Sequence, residues 1–403
     1  MQTRFSNTQL VLFARPEFTS AVLLLVLIVA ATCAPVVAQE TKDVKSLQQE
    51  FDKLEEELRV VAIEAQQLGV EYRNAVDSDT AYGLSDKFEE RVKVGNAIVE
   101  KWVPVGKQLF EQKIQQKLPI EDELTLFATK LMVQYFDEGR YLAAYDLCQK
   151  LYENNPENKF AEIYTARAGM LTNHFGPEIA KIIKDNAEYF QKEDQISQSE
   201  QMLITALYYL ESFFSEELKL REKDAKVGDL PRVKFKTNKG DFVIELFEDE
   251  APETVGNFIS LVESKHYDGL IFHTVLAQTA AETGLFDDNS DARLVDYKIY
   301  NENKKPNARK LFAGSIAMYL DRPNTADARF FVALAALPNL NEKHTVFGRV
   351  ISGMESVHRL NKTFKFEEEK QIKIEDVVPD KVLSATVLRK RDHEYVPRKV
   401  KKE

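Results

Sequence analysis

Apolar residues in the first third of the chain recur in steps of three and four, the spacing of one face of an α-helix. The first stripe covers residues 44–72 without a slip and predicts one long helix. A polar break containing a glycine, residues 77–85, separates it from a second stripe over residues 88–102. Pro104 then predicts a kink or an end of the second helix. We expect the two helices to pack as an antiparallel hairpin, with an intermolecular coiled coil as the alternative.

A second block of helical spacing follows. Gly139 permits a tight turn between two apolar stripes, Ala144 allows close helix packing, and Pro156 ends the second stripe. This spacing resembles a tetratricopeptide repeat, and a degraded first helix of another repeat follows over residues 161–175. With further helices near residues 177–190 and 197–223, the pattern predicts an α-helical domain over residues 39–228. A helical bundle that binds no peptide is the alternative.

The hydrophobic period changes to two after Asp229. Val233 and Phe235 alternate with polar residues, a turn covers residues 238–241, and alternation resumes at Phe242. This pattern predicts a β-hairpin. The change of period therefore places a domain boundary near Asp229.

The N-terminus has the pattern of an export signal. Arg4 and Arg15 precede an apolar run over residues 21–31, and small residues at 36–38 offer a cleavage site. The run is short for a membrane span of about 20 residues. We therefore predict a signal peptide over residues 1–38, with an uncleaved membrane anchor as the alternative, and a location outside the cytoplasm (periplasmic, secreted or membrane-anchored).

Charge and composition argue against several classes of ligand. The formal net charge of -11 argues against a nucleic acid as partner. Basic runs at 389–391 and 398–402 predict a solvated basic tail, placed at residues 392–403, with a role at a membrane surface or toward an acidic partner as the alternative. The six histidines show no metal-ligand spacing, and the chain has no glycine-rich phosphate loop. We therefore expect neither a metal nor a cofactor.

Several motifs in the last part of the chain occur in the order that one known family shows. Residues 237–247 are similar to its first hairpin and residues 251–262 to its first helix. The motifs YDGLIFH at 267–273, RFFVAL at 329–334 and KHTVFGRV at 343–350 follow. Over residues 231–391 the sequence thus resembles the cyclophilin-type peptidyl-prolyl isomerases.

The resemblance implies both a fold and a reaction. The fold is a closed antiparallel β-barrel of eight strands with two capping helices, expected near residues 252–264 and 353–360. The reaction is rotation about an X–Pro amide, whose uncatalysed barrier is about 18–20 kcal/mol. In this family an arginine, held by a glutamine, donates a hydrogen bond to the prolyl nitrogen of the twisted transition state, while an apolar pocket holds the proline ring.

Part of that pocket is retained. Phe331 matches the phenylalanine of its floor, and Leu340 and His344 match the leucine and histidine of its wall. Phe330 and Arg329 are adjacent candidates for substrate binding. Phe330 and Phe331 alternate across a strand, so at least one would be apolar in any barrel, and His344 is also compatible with an ordinary edge histidine.

The catalytic half of the pocket differs from the family. Thr274 stands at the arginine position, and its short neutral side chain cannot span the same distance. Thr279, Ala280 and Glu282 stand where the family has phenylalanine, methionine and glutamine. One lost transition-state hydrogen bond costs about 3–4 kcal/mol, or roughly a hundred- to a thousandfold in rate. Thr274 and Glu282 are therefore predicted to be impaired catalytic positions, and Arg329 is the candidate for a substitute donor.

The sequence thus predicts an exported protein with a helical domain, a cyclophilin-like domain over residues 229–391 and a basic tail. Its predicted function is peptidyl-prolyl isomerisation with weak or lost activity. The alternative is a non-catalytic module that binds proline-containing peptides or acts as a scaffold. Expected partners are proline-containing peptides or proteins, and the helical domain is a possible site for another protein. Membrane contact is expected only if the N-terminal segment is uncleaved.

Overall fold

The structure is a computed structural model that describes residues 42–192, 195–285, 295–320, 322–367, 370–396 and 398–400. The predicted signal peptide lies outside these residues. Within them, every helix is too short or too polar to cross a membrane. The chain divides into two compact units. One comprises the described residues up to Gln134 together with Lys150–Asn158, and the other comprises Tyr135–Gln149 and the residues from Lys159 onward.

The described residues before the first strand are helical. The helices are α1 Val44–Asn74, α2 Ser78–Gln115, α3 Asp122–Asp137, α4 Tyr141–Asn154, α5 Lys159–Leu171, α6 Pro177–Asp185, α7 Ala187–Phe190 and α8 Gln198–Val227.

Strands dominate the rest. The elements are β1 Arg232–Thr237, β2 Gly240–Leu246, α9 Pro252–Glu263, β3 Thr274–Leu276, β4 Ala280–Thr283, β5 Ser315–Met318, β6 Phe330–Ala333, β7 Val346–Ser352, α10 Met354–His358, β8 Phe364–Glu367, β9 Lys370–Lys373 and β10 Val382–Arg389.

Helices α1 and α2 form the predicted hairpin within one chain. Leu58 and Val99, one from each apolar stripe, are both fully buried. Phe51 of α1 stacks on Trp102 of α2, with ring centroids 5.6 Å apart. These parts of the two stripes are buried within one chain, so an intermolecular coiled coil is not needed to cover them. The end of the first stripe is more open, with Tyr72 41% exposed.

Two details of the hairpin differ from the prediction. The polar break is shorter, because Asp77 caps α2 by accepting a hydrogen bond from the backbone N–H of Thr80, so that the helix begins at Ser78. Pro104 lies inside α2, which continues for eleven more residues to Gln115. The helix therefore does not end at the proline, and the other predicted outcome, a kink, stays a prediction. Buried residues on both sides of Pro104, Val103 and Val105, favour continuation of the helix.

The turn between α3 and α4 lies at the predicted glycine. Gly139 has φ of 73°, a left-handed conformation that strains other residues. Space is also short there, since an added Cβ would lie 2.9 Å from Cβ of His358 in the same compact unit. The helix bounds fit the expected spacing, and a tetratricopeptide-like role stays a prediction.

The predicted closed barrel is not confirmed. The described strands form one sheet in the order β10-β1-β2-β7-β5-β6-β4-β3-β8-β9, and no ladder of the described residues joins its two end strands. The segment before β3 approaches β10 through separate backbone hydrogen bonds, from Gly269 to Val382 and from Phe272 to Asp380, each 2.8 Å long. The sheet extends past β3 because Leu276 pairs with Phe364 of the additional hairpin β8–β9.

One face of this sheet packs with α9 around an aromatic core. We call the buried set that includes Phe235, Phe258, Tyr267, Phe330 and Phe347 the core cluster. Its rings meet mostly edge to face, as between Phe258 and Phe330 at 5.4 Å. Both predicted helices, α9 and α10, are present close to their expected bounds.

The segment predicted as a solvated basic tail contacts the rest of its unit at a few of its described residues. Tyr395 is 6% exposed, and its hydroxyl donates a hydrogen bond to Glu248 (2.8 Å). Lys399 forms a β-bridge with Ile299, and its ammonium lies 4.1 Å from the centroid of the Tyr297 ring. Burial of one aromatic ring and a cation–π contact fix the segment at two points, whereas most of its other described residues are exposed. A solvated basic tail therefore stays a prediction.

Candidate functional site

Strand β6 presents alternate residues to two different hydrophobic clusters. Phe330 and Val332 point into the core cluster, whereas Phe331 and Ala333 belong to a second cluster on the other face of the sheet. We call this second set the outer cluster, and its members are Leu230, Phe247, Ala280, Leu311, Ala317, Phe331, Ala333, Leu337 and Val346.

The three retained pocket residues lie together at the outer cluster. Leu340 ends the short 3₁₀ turn Pro338–Leu340 and packs against the cluster. The ring of His344 meets Phe331 edge to face at 5.2 Å, and its Nδ1 lies 3.0 Å from the carbonyl oxygen of Met318. Burial lowers the pKa of His344, so its neutral form donates from Nδ1 to that carbonyl.

The two predicted catalytic positions fall in one row with Phe331. Thr274 of β3 pairs with Glu282 of β4, and Glu282 pairs with Phe331 of β6. Directly paired residues of an antiparallel sheet project to the same face. The positions predicted to match the family's arginine and glutamine therefore lie on the same face of the sheet as Phe331.

The side chain of Thr274 is poorly suited to donate a hydrogen bond to a substrate amide. Its hydroxyl lies 2.9 Å from Nδ1 of His273, an adjacent residue. It is short and neutral, so it provides neither the reach nor the charge of a guanidinium.

Glu282 sits in an apolar setting. Burial raises its pKa to about 7, although the positive charge of Arg329 favours the ionised form. A carboxyl group in this state is not equivalent to a glutamine amide, which donates and accepts at any pH. Glu282 would also attract a positive side chain introduced at Thr274, its cross-strand partner.

The two remaining predicted binding residues, Phe330 and Arg329, make their main contacts outside the site. Phe330 is fully buried in the core cluster, so it supports the strand and does not line the site. The guanidinium of Arg329 contacts the carboxylate of Asp327, with Nη2–Oδ2 at 2.9 Å, and lies 4.7 Å from the centroid of the Tyr319 ring. To act as a substitute donor, Arg329 would have to leave this charge-assisted pair.

Helix α8 supplies contacts at the site that the sequence analysis does not predict. The hydroxyl of Ser199 lies 3.0 Å from that of Thr279, in the turn between β3 and β4. Ser197 donates a hydrogen bond to Gln278 in the same turn. Met202 packs against the outer cluster. These residues are about 80 positions from the turn in sequence, and no motif marks them as its neighbours.

Nothing in the described part of the chain suggests a metal centre, because no three His, Cys, Asp or Glu side chains are grouped to hold an ion. The side chains placed at the site are apolar, apart from the histidine, the threonine hydroxyls and the carboxyl group of Glu282.

Comparison with solved structures finds two related matches. The solved structure of a cyclophilin type peptidyl-prolyl cis-trans isomerase from Cryptosporidium parvum is 23% identical, with a TM-score of 0.35, and covers 40% of this chain and 99% of its own. A second structure of that protein was obtained in the presence of the dipeptide Ala-Pro (24% identity, TM-score 0.32, covering 39% and 98%).

Sequence relatives give the assignment. Residues 232–380 match the model of the cyclophilin type peptidyl-prolyl cis-trans isomerase/CLD family. Peptidyl-prolyl cis-trans isomerase-like 1 of Aspergillus fumigatus is 32% identical over 155 residues, which are 38% of this chain and 94% of that protein. Peptidyl-prolyl cis-trans isomerase CYP18-2 of Arabidopsis thaliana is 33% identical over 137 residues, 33% of this chain and 82% of that protein. The chain belongs to the cyclophilin-type peptidyl-prolyl isomerase family.

Proposed function

We propose that this protein is an exported member of the cyclophilin family in which proline isomerisation is weak or lost. The observation that supports this most is the row formed by Thr274, Glu282 and Phe331. In that row the apolar residue that would hold a proline ring is kept, and the group that would act on the amide is not.

The physical argument concerns the transition state. Rotation about the X–Pro bond is accelerated when a donor reaches the prolyl nitrogen of the twisted amide, because the interaction is absent in the planar ground state. The hydroxyl of Thr274 is held near His273 and carries no charge. Arg329 is paired with Asp327. Loss of the donor corresponds to about 3–4 kcal/mol of transition-state stabilisation.

A second candidate function is a non-catalytic module that binds proline-containing peptides. Phe331, Leu340 and the neutral His344 form an apolar wall with one polar edge, which suits a proline ring and an adjacent carbonyl group. The helical elements would then provide a scaffold or a site for another protein, as the repeat-like spacing around Gly139 suggests.

The test is an isomerase assay without a coupling protease. Exchange between the cis and trans forms of an Ala-Pro tetrapeptide is measured by NMR in the presence of the purified protein. We expect catalysis at least about a hundredfold slower than that of an arginine-bearing cyclophilin. A rate close to that of the reference enzyme would contradict the proposal, and Arg329→Ala would then test the substitute donor.

Two variants at position 274 refine this test. Thr274→Arg should recover only part of the rate, because Thr279 and Ala280 do not rebuild the pocket and Glu282 attracts the new guanidinium. Thr274→Val keeps the branched shape without the hydroxyl and should leave the rate unchanged. A marked loss in Thr274→Val would assign the hydroxyl a catalytic role.

A further inference from the structure

The first two turns of α8 lie against the predicted proline-binding surface. Ser199 and Met202 are three residues apart and therefore project from the same side of the helix. Ser199 contacts Thr279, and Met202 packs against the outer cluster that contains Ala280 and Phe331. Thr279 and Ala280 stand where the family has two large side chains. The helix therefore packs where the family's larger side chains have been replaced by smaller ones.

The start of α8 is fixed in this position from its other side. Ser197 and Glu200 form a capping box, in which each side chain bonds the backbone N–H of the other residue. Glu200 is fully buried and pairs with Arg167 of α5, with Nε–Oε1 at 2.7 Å. Removing either member of such a buried pair is costly, so the first turn is held rigidly.

The second half of α8 is fixed by charge to the loop before β5. Arg309 is completely buried, and its guanidinium contacts the carboxylates of Glu217 (3.3 Å) and Asp224 (2.8 Å) of the helix. It also contacts Glu250, which follows β2, at 3.1 Å. Asp224 is shared with Arg349 of β7 at 3.0 Å. The helix is therefore held at both of its halves by the same compact unit.

We propose that the first two turns of α8 are a built-in ligand of the proline-binding surface, which they keep closed to peptides in the intact protein. This inference rests on the proposed function, because it takes Phe331, Leu340 and His344 as the surface that would hold a proline. A peptide must first displace Met202 and break the contact between Ser199 and Thr279. Its apparent Kd is then its intrinsic Kd divided by the fraction of molecules in which the surface is open.

Substitutions at Met202 test the closure in the full chain. The probe is an Ala-Pro tetrapeptide, and its Kd is measured by calorimetry and by the shift of the Phe331 ring resonances. Met202→Glu places a charge against an apolar cluster and should raise the open fraction, so we expect Kd to fall at least about tenfold from that of the wild type. Met202→Leu keeps the apolar contact and should resemble the wild type. Tyr208→Ala, at a residue of the same helix that is 93% exposed, should have no effect.

A reversible lock covers the case in which Met202→Glu does not fold. The hydroxyl oxygens of Ser199 and Thr279 are 3.0 Å apart, so a cysteine pair at these positions is within reach of a disulfide. In Ser199→Cys/Thr279→Cys we expect the oxidised form to bind peptide at least about tenfold more weakly than the reduced form. Equal binding by the two forms would contradict the closure, as would failure of the disulfide to form.

The outcomes also separate this inference from the proposed function. If the wild type binds the peptide as tightly as Met202→Glu does, α8 does not close the surface, whatever the isomerase rate. If a folded Met202→Glu variant gains no binding, α8 is not the obstacle and the inference is wrong. In both cases a slow isomerase rate would still support the proposed function, which fails only if the wild-type rate is high.

Discussion

The two faces of strand β6 differ in the size and chemistry of the side chains that pack on them. On one face, Phe330 lies fully buried among Phe235, Phe258, Tyr267 and Phe347 in a dense aromatic core. On the other face, the neighbours of Phe331 in its row are a threonine and a glutamate. The outer cluster around Phe331 includes three alanines of the sheet.

The difference shows which part of a fold is free to change. Each ring of the core cluster touches several others, so a substitution there leaves a cavity that the surrounding structure cannot fill. The outer face is bounded by α8 and by solvent, so a lost side chain can be replaced by a neighbouring element. The proposed loss of the catalytic donor at Thr274 would fall on this more permissive face.

The largest expected effect is on stability, and it compares one substitution on each face of β6. Phe330→Ala should lower the free energy of unfolding by about 3–5 kcal/mol, since it removes a ring from a close-packed core. Phe331→Ala should cost less, about 2 kcal/mol, because Met202 and Leu340 are only partly buried and can move into the space. Denaturant unfolding of both variants measures the difference. Equal losses would mean that the two faces are packed alike.

A second prediction concerns the charges that hold α8. Arg309→Ala leaves the carboxylates of Glu217, Asp224 and Glu250 buried without this partner, and we expect a loss of about 3 kcal/mol. Lys310→Ala is the matched control, because its partner Glu342 is at the surface and solvent screens such an ion pair, so the loss should be small. Thermal and denaturant unfolding would show whether the neighbouring substitutions differ as expected. Similar losses would mean that the Arg309 cluster is not a significant tether.

A smaller effect is the pH dependence of stability, which tests whether Glu282 lies in an apolar environment. The folded-state pKa of about 7 is higher than the ordinary value of 4.5, so the folded protein binds this proton more tightly than the unfolded chain does. Wild-type stability should therefore fall relative to Glu282→Gln as the pH rises from about 4.5 to about 7, and then stay level. The difference at pH 8 should be on the order of 2 kcal/mol in favour of Glu282→Gln. A difference that is independent of pH would show that Glu282 is not in an apolar setting.

The sequence was sufficient for features that depend on short segments. The β1–β2 hairpin, helix α9 and the hairpin of α1 and α2 follow from local periodicity, and Thr274 is identified by its place in a motif. Burial of Phe330 and Phe331 on opposite faces follows from strand alternation, although the sequence alone does not say which of them faces the core.

Contacts between distant segments could not be predicted in this way. The cover provided by α8 joins Ser199 to Thr279 across 80 positions, and its polar contacts use residues that are common on any helix. Burial of Tyr395 could not be predicted, because a single aromatic residue among charged residues forms no periodic pattern. Closure of the sheet is not confirmed, because in the described residues the segment before β3 contributes isolated bridges at Ile271 and no continuous ladder.

The position of Met202 is the most direct test of how the outer face is used. In the free protein labelled with ¹³C at methionine methyl groups, we predict nuclear Overhauser contacts from Met202 to the ring of Phe331 or the methyl group of Ala280, and a ring-current shift of its resonance. A Met202 methyl without such contacts and at its random-coil shift, in a protein whose core methyl resonances remain dispersed, would show that α8 does not cover the proline-binding surface.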